Sequence, residues 1–325
     1  MKYVVVTGGA GFIGAYVCHE LCKLGYRVLA YDNLSTGSVD NLNGTSTEFQ
    51  YGDVLDEKGL ERVVAGADAV VHLAAISSVP ASLTAPQLVY QVNTTGTFNV
   101  LQAVRRVGAG PGGAQVVLAS SAAVYGRPQQ HLVHEELPLR PVSPYGASKA
   151  AAEVYVHAFH QVYTQRTLTL RLFNVYGPGQ KAIGSNAPVV PSFMLAATMR
   201  DVPLYIHGDG GQARTFVYAG QVGRLIADVV ARGVSCPIPI NVGGMGGTSI
   251  ARLAELVGQI SGHTTIEKTP PRPGDIYGSV ADVSRMRELF PDVHPVMLRD
   301  GLQATWDWWQ NMHATPTTLP MGCPP

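Results

Sequence analysis

Residues 7–14 read T-G-G-A-G-F-I-G and directly follow a β-branched run at residues 3–6. Both the G-x-G-x-x-G and the G-x-x-G-x-x-G spacings are satisfied here, by Gly8, Gly9, Gly11 and Gly14. An apolar pattern with helical spacing continues from this stretch to Gly25. Glycines between a strand and a helix permit a tight turn and let backbone N–H groups approach a pyrophosphate at the positive end of the helix. The stretch therefore predicts the first strand–turn–helix unit of a dinucleotide-binding sheet.

The second apolar run ends in an acidic residue, where a dinucleotide fold needs one. Asp32 stands 18 residues after Gly14. A carboxylate there accepts hydrogen bonds from the adenosine ribose and repels a 2′-phosphate, which favours NAD over NADP. Asp53 closes the third strand, where its carboxylate is placed to meet the adenine amino group. The fourth strand ends in H-L-A-A (72–75), whose small residues leave room for the nicotinamide riboside, and His72 is interpreted as a structural histidine.

Apolar strands alternate with amphipathic helices over the first half of the chain. Helices are predicted at about 56–65 and 86–107, and the strand Q-V-V-L-A-S-S occupies residues 115–121. This alternation predicts an α/β fold with a doubly wound parallel (Rossmann) sheet covered on both faces. From about residue 175 proline and glycine become frequent. We therefore expect an NAD-binding domain over 1–175 and a smaller α/β substrate domain over 176–325, interleaved with the first. The C-terminal W-D-W-W-Q is interpreted as the packed face of a last helix.

The composition argues against several classes of protein. Of the 325 residues 14% are charged and the formal net charge is zero, against a usual charged share of about a quarter. No basic run exceeds Arg105-Arg106, so nucleic-acid binding, which needs clustered cations, is not expected. No segment approaches the roughly 18 apolar residues of a membrane span, and the first apolar run is too short for a signal peptide. With four cysteines and no metal-ligand spacing, we expect a cytoplasmic protein without a disulfide framework, a metal or a membrane partner.

The stretch S-P-Y-G-A-S-K (143–149) places Tyr145 and Lys149 one helical turn apart, directly after a proline. A phenol with a pKa near 10 is a poor base at neutral pH, and a nearby ammonium stabilises the phenolate and lowers that pKa. The i,i+4 spacing puts both side chains on one helix face. Ser121, at the end of its strand, supplies a third polar group. We therefore predict a catalytic set of Ser121, Tyr145 and Lys149, with Tyr145 as general base and Lys149 tuning its pKa.

Taken together, the motifs resemble the extended short-chain dehydrogenase/reductase family, and within it the nucleotide-sugar 4-epimerases that act on UDP-galactose and other UDP-hexoses. The matching segments extend from residue 4 to about 310, nearly the whole chain. In chain order they are T-G-G-A-G-F-I-G, Y-D-N-L-S-T-G (31–37), H-L-A-A, S-S-A-A-V-Y-G (120–126), Y-G-A-S-K (145–149), R-L-F-N-V-Y-G-P (171–178), R-T-F-V-Y (214–218) and R-P-G-D (272–275).

The resemblance implies a mechanism and a set of binding residues. Bound NAD takes hydride from C4 of the sugar while Tyr145 removes the 4-hydroxyl proton with help from Ser121; the 4-keto sugar then turns, and hydride returns to its opposite face. The implied cofactor-binding residues are Gly8, Gly11, Phe12, Ile13, Gly14, Asp32, Asn33, Ser35, Thr36, Gly37, Asp53, Val54, Leu73, Ala74, Ala75, Tyr145, Lys149 and Phe173. The implied substrate-binding residues are Ser121, Asn174, Val189, Leu204, Tyr205, Arg214, Arg272, Asp275 and Ser279. Arginine suits the diphosphate because a guanidinium pairs bidentately with phosphate oxygens.

The chain departs from the patterns of the family in four places. Ala122-Ala123 stands where related dehydratases carry an Asp-Glu pair, so dehydration is not expected. Ser279 replaces the bulky tyrosine of epimerases restricted to glucose and galactose, which leaves volume for an N-acetyl group. Gln180-Lys181 stands where uronate-specific relatives often have an arginine. Ala219-Gly220 replaces the usual acidic residues, and nothing in the sequence explains that change.

The predicted function is an NAD-dependent 4-epimerase of a UDP-hexose, either UDP-glucose/UDP-galactose or the N-acetylated pair. Three alternatives stay open: the same reaction on UDP-glucuronate or another nucleotide sugar, a net oxidoreductase that exchanges NAD, and a non-catalytic NAD-binding protein. The sequence does not discriminate between uracil, thymine and cytosine. The helices at about 86–107 and 145–163 carry more apolar surface than one buried stripe needs, which predicts a homodimer.

Overall fold

The computed structural model describes residues 2–108, 113–182, 187–199, 201–271 and 278–314. The strands are β1 Tyr3–Thr7, β2 Arg27–Asp32, β3 Glu48–Tyr51, β4 Ala69–His72, β5 Gln115–Ser121, β6 Leu132–Val133, β7 Thr167–Leu172, β8 Asn174–Tyr176, β9 Leu204–His207, β10 Ala213–Arg214, β11 Phe216–Tyr218, β12 Ile240–Val242, β13 Thr248–Ser249, β14 Ile266–Thr269 and β15 Gly278–Ala281. The helices are α1 Phe12–Lys23, α2 Glu57–Val64, α3 Val79–Thr84, α4 Pro86–Tyr90, α5 Gly96–Gly108, α6 Pro144–Tyr163, α7 Val189–Thr198, α8 Ala219–Arg232, α9 Ile250–Ser261, α10 Ser284–Leu289 and α11 Leu298–Ala314.

A parallel sheet with the strand order β12-β7-β5-β4-β1-β2-β3 forms the centre of the molecule. Successive residues of β1 point to opposite faces, so that Val4 and Val6 enter one hydrophobic core and Val5 enters the other. Helices cover both faces, since a parallel sheet buries both of its sides. The predicted doubly wound sheet is confirmed. The order reverses between β1 and β4, and ligands of such sheets bind at the carboxyl ends of the strands beside that point.

A smaller α/β part lies C-terminal to most of this sheet. It contains the four-stranded sheet β13-β10-β15-β6 and the pair β14-β9, and helices α7, α9 and α11 share a third hydrophobic core. Trp306 and Trp309 of α11 are buried in that core, which confirms the interpretation of W-D-W-W-Q as a packed helix face. Strand β12 nevertheless returns to the central sheet beside β7. The boundary at residue 175 and the interleaving of two domains remain predictions.

The long helix predicted at about 86–107 is divided by a π-helical turn at Gln91–Thr95. Asn93 and Thr94 in this turn are buried against α6. The Asn93 side chain donates to Ser148 Oγ at 2.9 Å, and Thr94 Oγ1 donates to the Ser148 carbonyl at 3.2 Å. A π turn widens the helix by one residue and is frequent near functional sites. Here it turns two polar side chains towards the helix that carries Tyr145 and Lys149.

The helices of the described ranges are all too short or too polar to cross a membrane.

Candidate active site

The glycine turn after β1 is closely packed on its surroundings. Gly8 has a φ of 72°, in the left-handed region that favours glycine. A Cβ on Gly8 would lie 2.6 Å from the Ala74 nitrogen, and one on Gly9 would lie 2.6 Å from Ala30 Cβ. Real Cβ atoms do not approach so closely. The turn therefore requires glycine because the ends of β1, β2 and β4 converge on it.

Helix α1 starts from this turn with its first N–H groups uncapped by a side chain. Its N-cap is Gly11, and its first turn contains no acidic residue. By contrast, Ser143 caps α6 and Ser249 caps α9 with their hydroxyls. The first N–H groups of a helix carry a partial positive charge and need acceptors. The start of α1, where Phe12 and Ile13 lie, is thus suited to bind a pyrophosphate.

Asp32 closes β2 beside the glycine turn and is buried. Its Oδ2 accepts the Ala10 N–H at 3.0 Å, and its Oδ1 accepts the Leu34 N–H at 2.8 Å. Each carboxylate oxygen has a second lone pair, which leaves acceptor capacity for two ribose hydroxyls. Leu34 adopts a φ of 57°, the left-handed region that is uncommon for a residue other than glycine. Such strain tends to mark functional loops.

The loop 33–37, with Asn33, Ser35, Thr36 and Gly37, connects Asp53 to the glycine turn. Asn33 donates to Asp53 Oδ2 at 2.9 Å and accepts the Ser35 N–H at 3.0 Å. A Cβ on Gly37 would lie 2.7 Å from the Ala10 carbonyl oxygen. The polar residues predicted for the adenosine side of the cofactor are thereby brought together.

The apolar cofactor positions follow the strands β3, β4 and β7 of the central sheet. Val54 and Phe173 are buried, whereas Leu73, Ala74 and Ala75 are partly exposed after β4. Leu73 donates its N–H to the Thr7 carbonyl at 3.0 Å, which continues the β1–β4 ladder to the edge of the sheet. These features fit NAD: an uncapped helix start, a glycine turn without room for Cβ atoms, and a carboxylate with free acceptor capacity.

His72 is held between two threonines. Its Nδ1 is 2.7 Å from Thr7 Oγ1, and its Nε2 is 3.0 Å from Thr97 Oγ1. Burial, together with the Lys149 charge, lowers the pKa of His72 to about 3. A neutral histidine with both ring nitrogens occupied agrees with its interpretation as structural.

Ser121, Tyr145 and Lys149 meet where β5 ends and α6 begins. Pro144 occupies the first turn of α6, and Ser143 caps the helix by accepting the Gly146 N–H at 3.1 Å. Tyr145 and Lys149 are both buried. The Ser121 hydroxyl is close enough to Tyr145 to oppose the effect of burial on the pKa of the phenol. The Lys149 ammonium donates to the Ala119 carbonyl at 2.9 Å.

The tuning of Tyr145 by Lys149 stays a prediction. Burial raises the pKa of Tyr145, and the Ser121 hydroxyl opposes that rise. The Lys149 ammonium donates to the Ala119 carbonyl. Burial also lowers the pKa of Lys149 to about 8, against an opposing effect of Glu153.

The predicted substrate residues fall into two groups. Asn174 starts β8 and bonds to the Thr215 carbonyl through its backbone N–H, at 3.1 Å, and its side chain, at 2.9 Å. Arg214 on β10 is in register with Ser279 on β15. Asn174 therefore contacts the residue that follows Arg214, and Arg214 lies beside Ser279.

The second group is further along the chain. Val189 opens α7, Tyr205 on β9 is 46% exposed, and Leu204 is fully buried in the third core. This burial leaves Leu204 no accessible surface for a ligand. Arg272 and Asp275 lie outside the described residues.

Two of the departures from the family pattern have structural correlates. Gly220 lies in the first turn of α8, where a Cβ would come 2.9 Å from the Tyr218 ring, so a larger residue would displace that ring. Gln180 donates to the Val175 carbonyl at 3.0 Å, and Lys181 is exposed.

Sequence reasoning missed several residues that surround the catalytic set. Asn93 joins α6 to the loop after β4, since it also accepts the Ile76 N–H at 2.8 Å. Glu153 and Arg171 form a buried ion pair of 2.8 Å behind Lys149. The position of Glu153, four residues after Lys149, is a signal that could have found it. Asn93 had no such signal because the π turn changes the helical spacing.

The fold and the site define an NAD-dependent enzyme of the epimerase/dehydratase class, and comparison with known families agrees. The model of the NAD dependent epimerase/dehydratase family matches residues 4–243. The chain therefore belongs to this family.

Individual relatives show which members of the family the chain resembles. The UDP-glucose 4-epimerase of Mycolicibacterium smegmatis is 33% identical over 321 residues, which cover 94% of this chain and 98% of the relative. The crystal structure of a UDP-glucose 4-epimerase from Thermotoga maritima with UDP-glucose is 32% identical, with a TM-score of 0.88 and coverage of 96% of this chain and 100% of that one. A UDP-N-acetylglucosamine 4-epimerase from Methanobrevibacter ruminantium, in complex with UDP-N-acetylmuramic acid, is also 32% identical with a TM-score of 0.88, covering 96% and 99%.

Proposed function

We propose that this chain is a 4-epimerase of a UDP-hexose. The observation that carries the proposal is the junction of Ser121, Tyr145 and Lys149 at the end of β5, next to Ala122 and Ala123. A dehydratase needs an acid there to expel water, and two methyl side chains supply none. Without dehydration, the site is suited to oxidise and then reduce one carbon of the sugar.

The chain's own residues have distinct proposed roles. When NAD is bound, by the glycine turn, Asp32, the loop 33–37 and Lys149, it supplies reversible two-electron oxidation of the C4 alcohol. Tyr145 Oη takes the proton of the 4-hydroxyl and returns it after the 4-keto sugar has turned. Ser121 Oγ, which lies beside Tyr145, holds the same sugar oxygen and shares the proton. Asn174 and Arg214 hold the nucleotide diphosphate, whose rotation presents the opposite sugar face.

The protonation states set a pH window for this chemistry. Burial raises the pKa of Tyr145, so its hydroxyl is protonated in the free enzyme at neutral pH. The phenol must therefore lose its proton to solvent before it can take the proton of the 4-hydroxyl. Positive charge nearby favours the phenolate, and the Lys149 ammonium is the cation on the same helix face. The pKa of Lys149 is lowered to about 8, so its charge is present below that pH and lost above it. We expect kcat to fall as pH rises through 8.

The proposed sugar is set by the volume beside its C2 substituent. Ser279 is the residue in register with Arg214, the proposed diphosphate ligand. A hydroxymethyl side chain there leaves room for an N-acetyl group, which supports UDP-GlcNAc/UDP-GalNAc beside UDP-glucose/UDP-galactose. The similarity to a UDP-N-acetylglucosamine 4-epimerase agrees with this proposal.

Proton NMR tests the function directly. The purified protein is incubated, with no added NAD, in turn with UDP-galactose, UDP-GalNAc and UDP-glucuronate. A new anomeric signal from the C4 epimer in the first or second tube is expected. Reaction only with UDP-glucuronate would mean that the substrate is the uronate, and exposed Lys181 would then be the proposed ligand of its carboxylate. Turnover that requires added NAD would instead indicate a net oxidoreductase. Tyr145→Phe is the matched control, since it removes one hydroxyl and should abolish turnover with NAD still bound.

We also propose that two copies of the chain associate through α5 and α6. The ring of Phe98 on α5 packs against Tyr155 of α6 at 5.3 Å between centroids. Around this contact Val154 and Val162 are 61% and 70% exposed. Apolar patches of this kind mark protein interfaces. Light scattering should give twice the 34.5 kDa chain mass, and Val154→Lys should return it to the single mass.

A further inference from the structure

Helix α6 carries a third ionisable residue on the face that holds Tyr145 and Lys149. Glu153 follows Lys149 by four residues and Tyr145 by eight, so the three side chains are in line along the helix. Each of them meets β5. The contacts are Tyr145 with Ser121, Lys149 Nζ with the Ala119 carbonyl at 2.9 Å, and Glu153 Oε1 with Ser120 Oγ at 2.5 Å. The end of β5 is thus fastened to α6 at three successive residues.

Glu153 is buried and pairs with Arg171. Its side chain is 7% exposed and that of Arg171 5% exposed. Arg171 Nε donates to Oε1 at 3.0 Å, and Nη2 donates to Oε2 at 2.8 Å. A buried carboxylate persists as an ion only when it is paired and hydrogen-bonded, and both conditions are met here.

The same arginine extends the network to the turn after Ser121. Arg171 Nη1 donates to the Tyr125 hydroxyl at 2.8 Å, which in turn donates to Asn241 Oδ1 at 2.6 Å. Tyr125 ends the turn Ala122–Tyr125 whose N-cap is Ser121. One buried ion pair therefore supports both sides of the catalytic set: the α6 side through Glu153 and the Ser121 side through Tyr125.

The charges that face Lys149 come from three elements. Glu153 lies on its own helix, Arg171 stands behind Glu153 on β7, and His72 on β4 is close enough to be affected by the ammonium. His72 is neutral above pH 3 because burial lowers its pKa to about that value. Burial lowers the pKa of Lys149, and Glu153 is the group that opposes this.

We propose that Glu153 is a positioning residue that acts through Lys149: it holds α6 against β5 and keeps the Lys149 ammonium charged. The proposal rests on the proposed function only for the role of Lys149 in turnover. The coupling between Glu153 and Lys149 is a property of the protein itself and can be measured without substrate.

Glu153→Gln tests the coupling, because it removes the charge while keeping the shape of the side chain. The chain has six lysines, so [13Cε]lysine labelling gives a short spectrum in which Lys149→Met identifies the Lys149 signal. We expect the titration midpoint of Lys149 in Glu153→Gln to fall by about one pH unit or more. The alkaline limb of kcat should move to lower pH by the same amount, with KM changed less than twofold. A midpoint equal to that of the wild type, with only a lower Tm, would overturn the proposal.

Two further variants separate the effect of the Glu153 charge from the effect of its position. They also keep the proposal testable if Glu153→Gln folds poorly. Ser120→Ala keeps both charges and removes the 2.5 Å hydrogen bond to Glu153. It should lower kcat severalfold and leave the Lys149 midpoint in place, and a wild-type kcat would refute the positional part. Glu136→Gln is the control, since Glu136 is exposed and pairs with Arg285; it should change neither quantity. If no UDP-sugar reacts at all, the proposed function fails, and the lysine titration still decides the coupling.

Discussion

Gly14→Ala is the substitution whose effect follows most directly from the geometry of the cofactor turn. A Cβ on Gly14 would lie 2.7 Å from Gly9 Cα and closer still to the Gly8 carbonyl oxygen. Ordinary van der Waals contact begins at 3.4 Å. Helix α1 must therefore move away from the turn by at least 0.7 Å, the difference between 3.4 and 2.7 Å. The neighbours are backbone atoms, so no side chain can rotate to relieve the clash.

This displacement moves the uncapped N–H groups of α1 relative to Asp32. A misplacement of about 1 Å in a binding constellation costs on the order of 100-fold. The assay is the NAD content of the purified variant, measured after acid release, together with the Kd for added NAD. We expect little NAD to be retained and a Kd about 100-fold above that of the wild type.

Gly11→Ala is the matched control in the same turn. Its Cβ would lie 3.1 Å from the Gly8 oxygen, only 0.3 Å short of ordinary contact, and its φ of −77° suits alanine. It should retain NAD with a Kd within a few-fold of wild type. Full retention of NAD by Gly14→Ala, or equal losses in both variants, would refute the steric reasoning.

Three other predictions concern stability and specificity. The pKa of His72 is lowered, so below pH 6.5 the unfolded chain binds a proton that the native state does not. The free energy of unfolding should therefore fall by about 1.4 kcal/mol per pH unit as pH drops below 6.5. Urea titrations of His72→Gln should show a smaller slope. Leu21 is fully buried, so Leu21→Ala should lower the free energy of unfolding by about 2–5 kcal/mol in the same experiment. Leu24 is 56% exposed, so Leu24→Ala should lower it by less than about 0.5 kcal/mol. Equal losses in the two variants would contradict the packing of α1. Ser279→Tyr should raise KM for UDP-GalNAc at least tenfold and spare UDP-galactose, and equal effects on both substrates would remove Ser279 as the specificity residue.

The sheet and the cofactor turn were predictable because local physical rules determine them. The glycine turn needs close backbone packing, and Asp32 must follow β2 at the same edge, so both appear as motifs with fixed spacing. Buried parallel strands are apolar on both faces, so β1, β4 and β5 could be predicted from their continuous apolar runs. The helix bounds at α2 and α6 differ from the predicted ones by one residue, since capping residues and proline mark helix ends.

The parts that sequence reasoning missed depend on tertiary contacts. The spacing of Tyr145 and Lys149 placed both on one helix face, but it did not show that the Ala119 carbonyl would take the ammonium. The π turn at Asn93 interrupts a helix that reads as continuous. The partner of Glu153 lies 18 residues away on β7, a pairing that only the folded sheet reveals. The pairing of β12 with β7 in the central sheet likewise joins residues that are far apart in the sequence.

We propose that the enzyme inverts C4 without net oxidation, using one NAD that stays bound, and the fate of the C4 hydrogen is the decisive test. The purified protein, with no added NAD, is given UDP-galactose deuterated at C4, and the product is analysed by NMR and mass spectrometry. We expect UDP-glucose with the deuterium fully retained at C4. Loss of the label to solvent, or recovery of unchanged UDP-galactose alone, would contradict it.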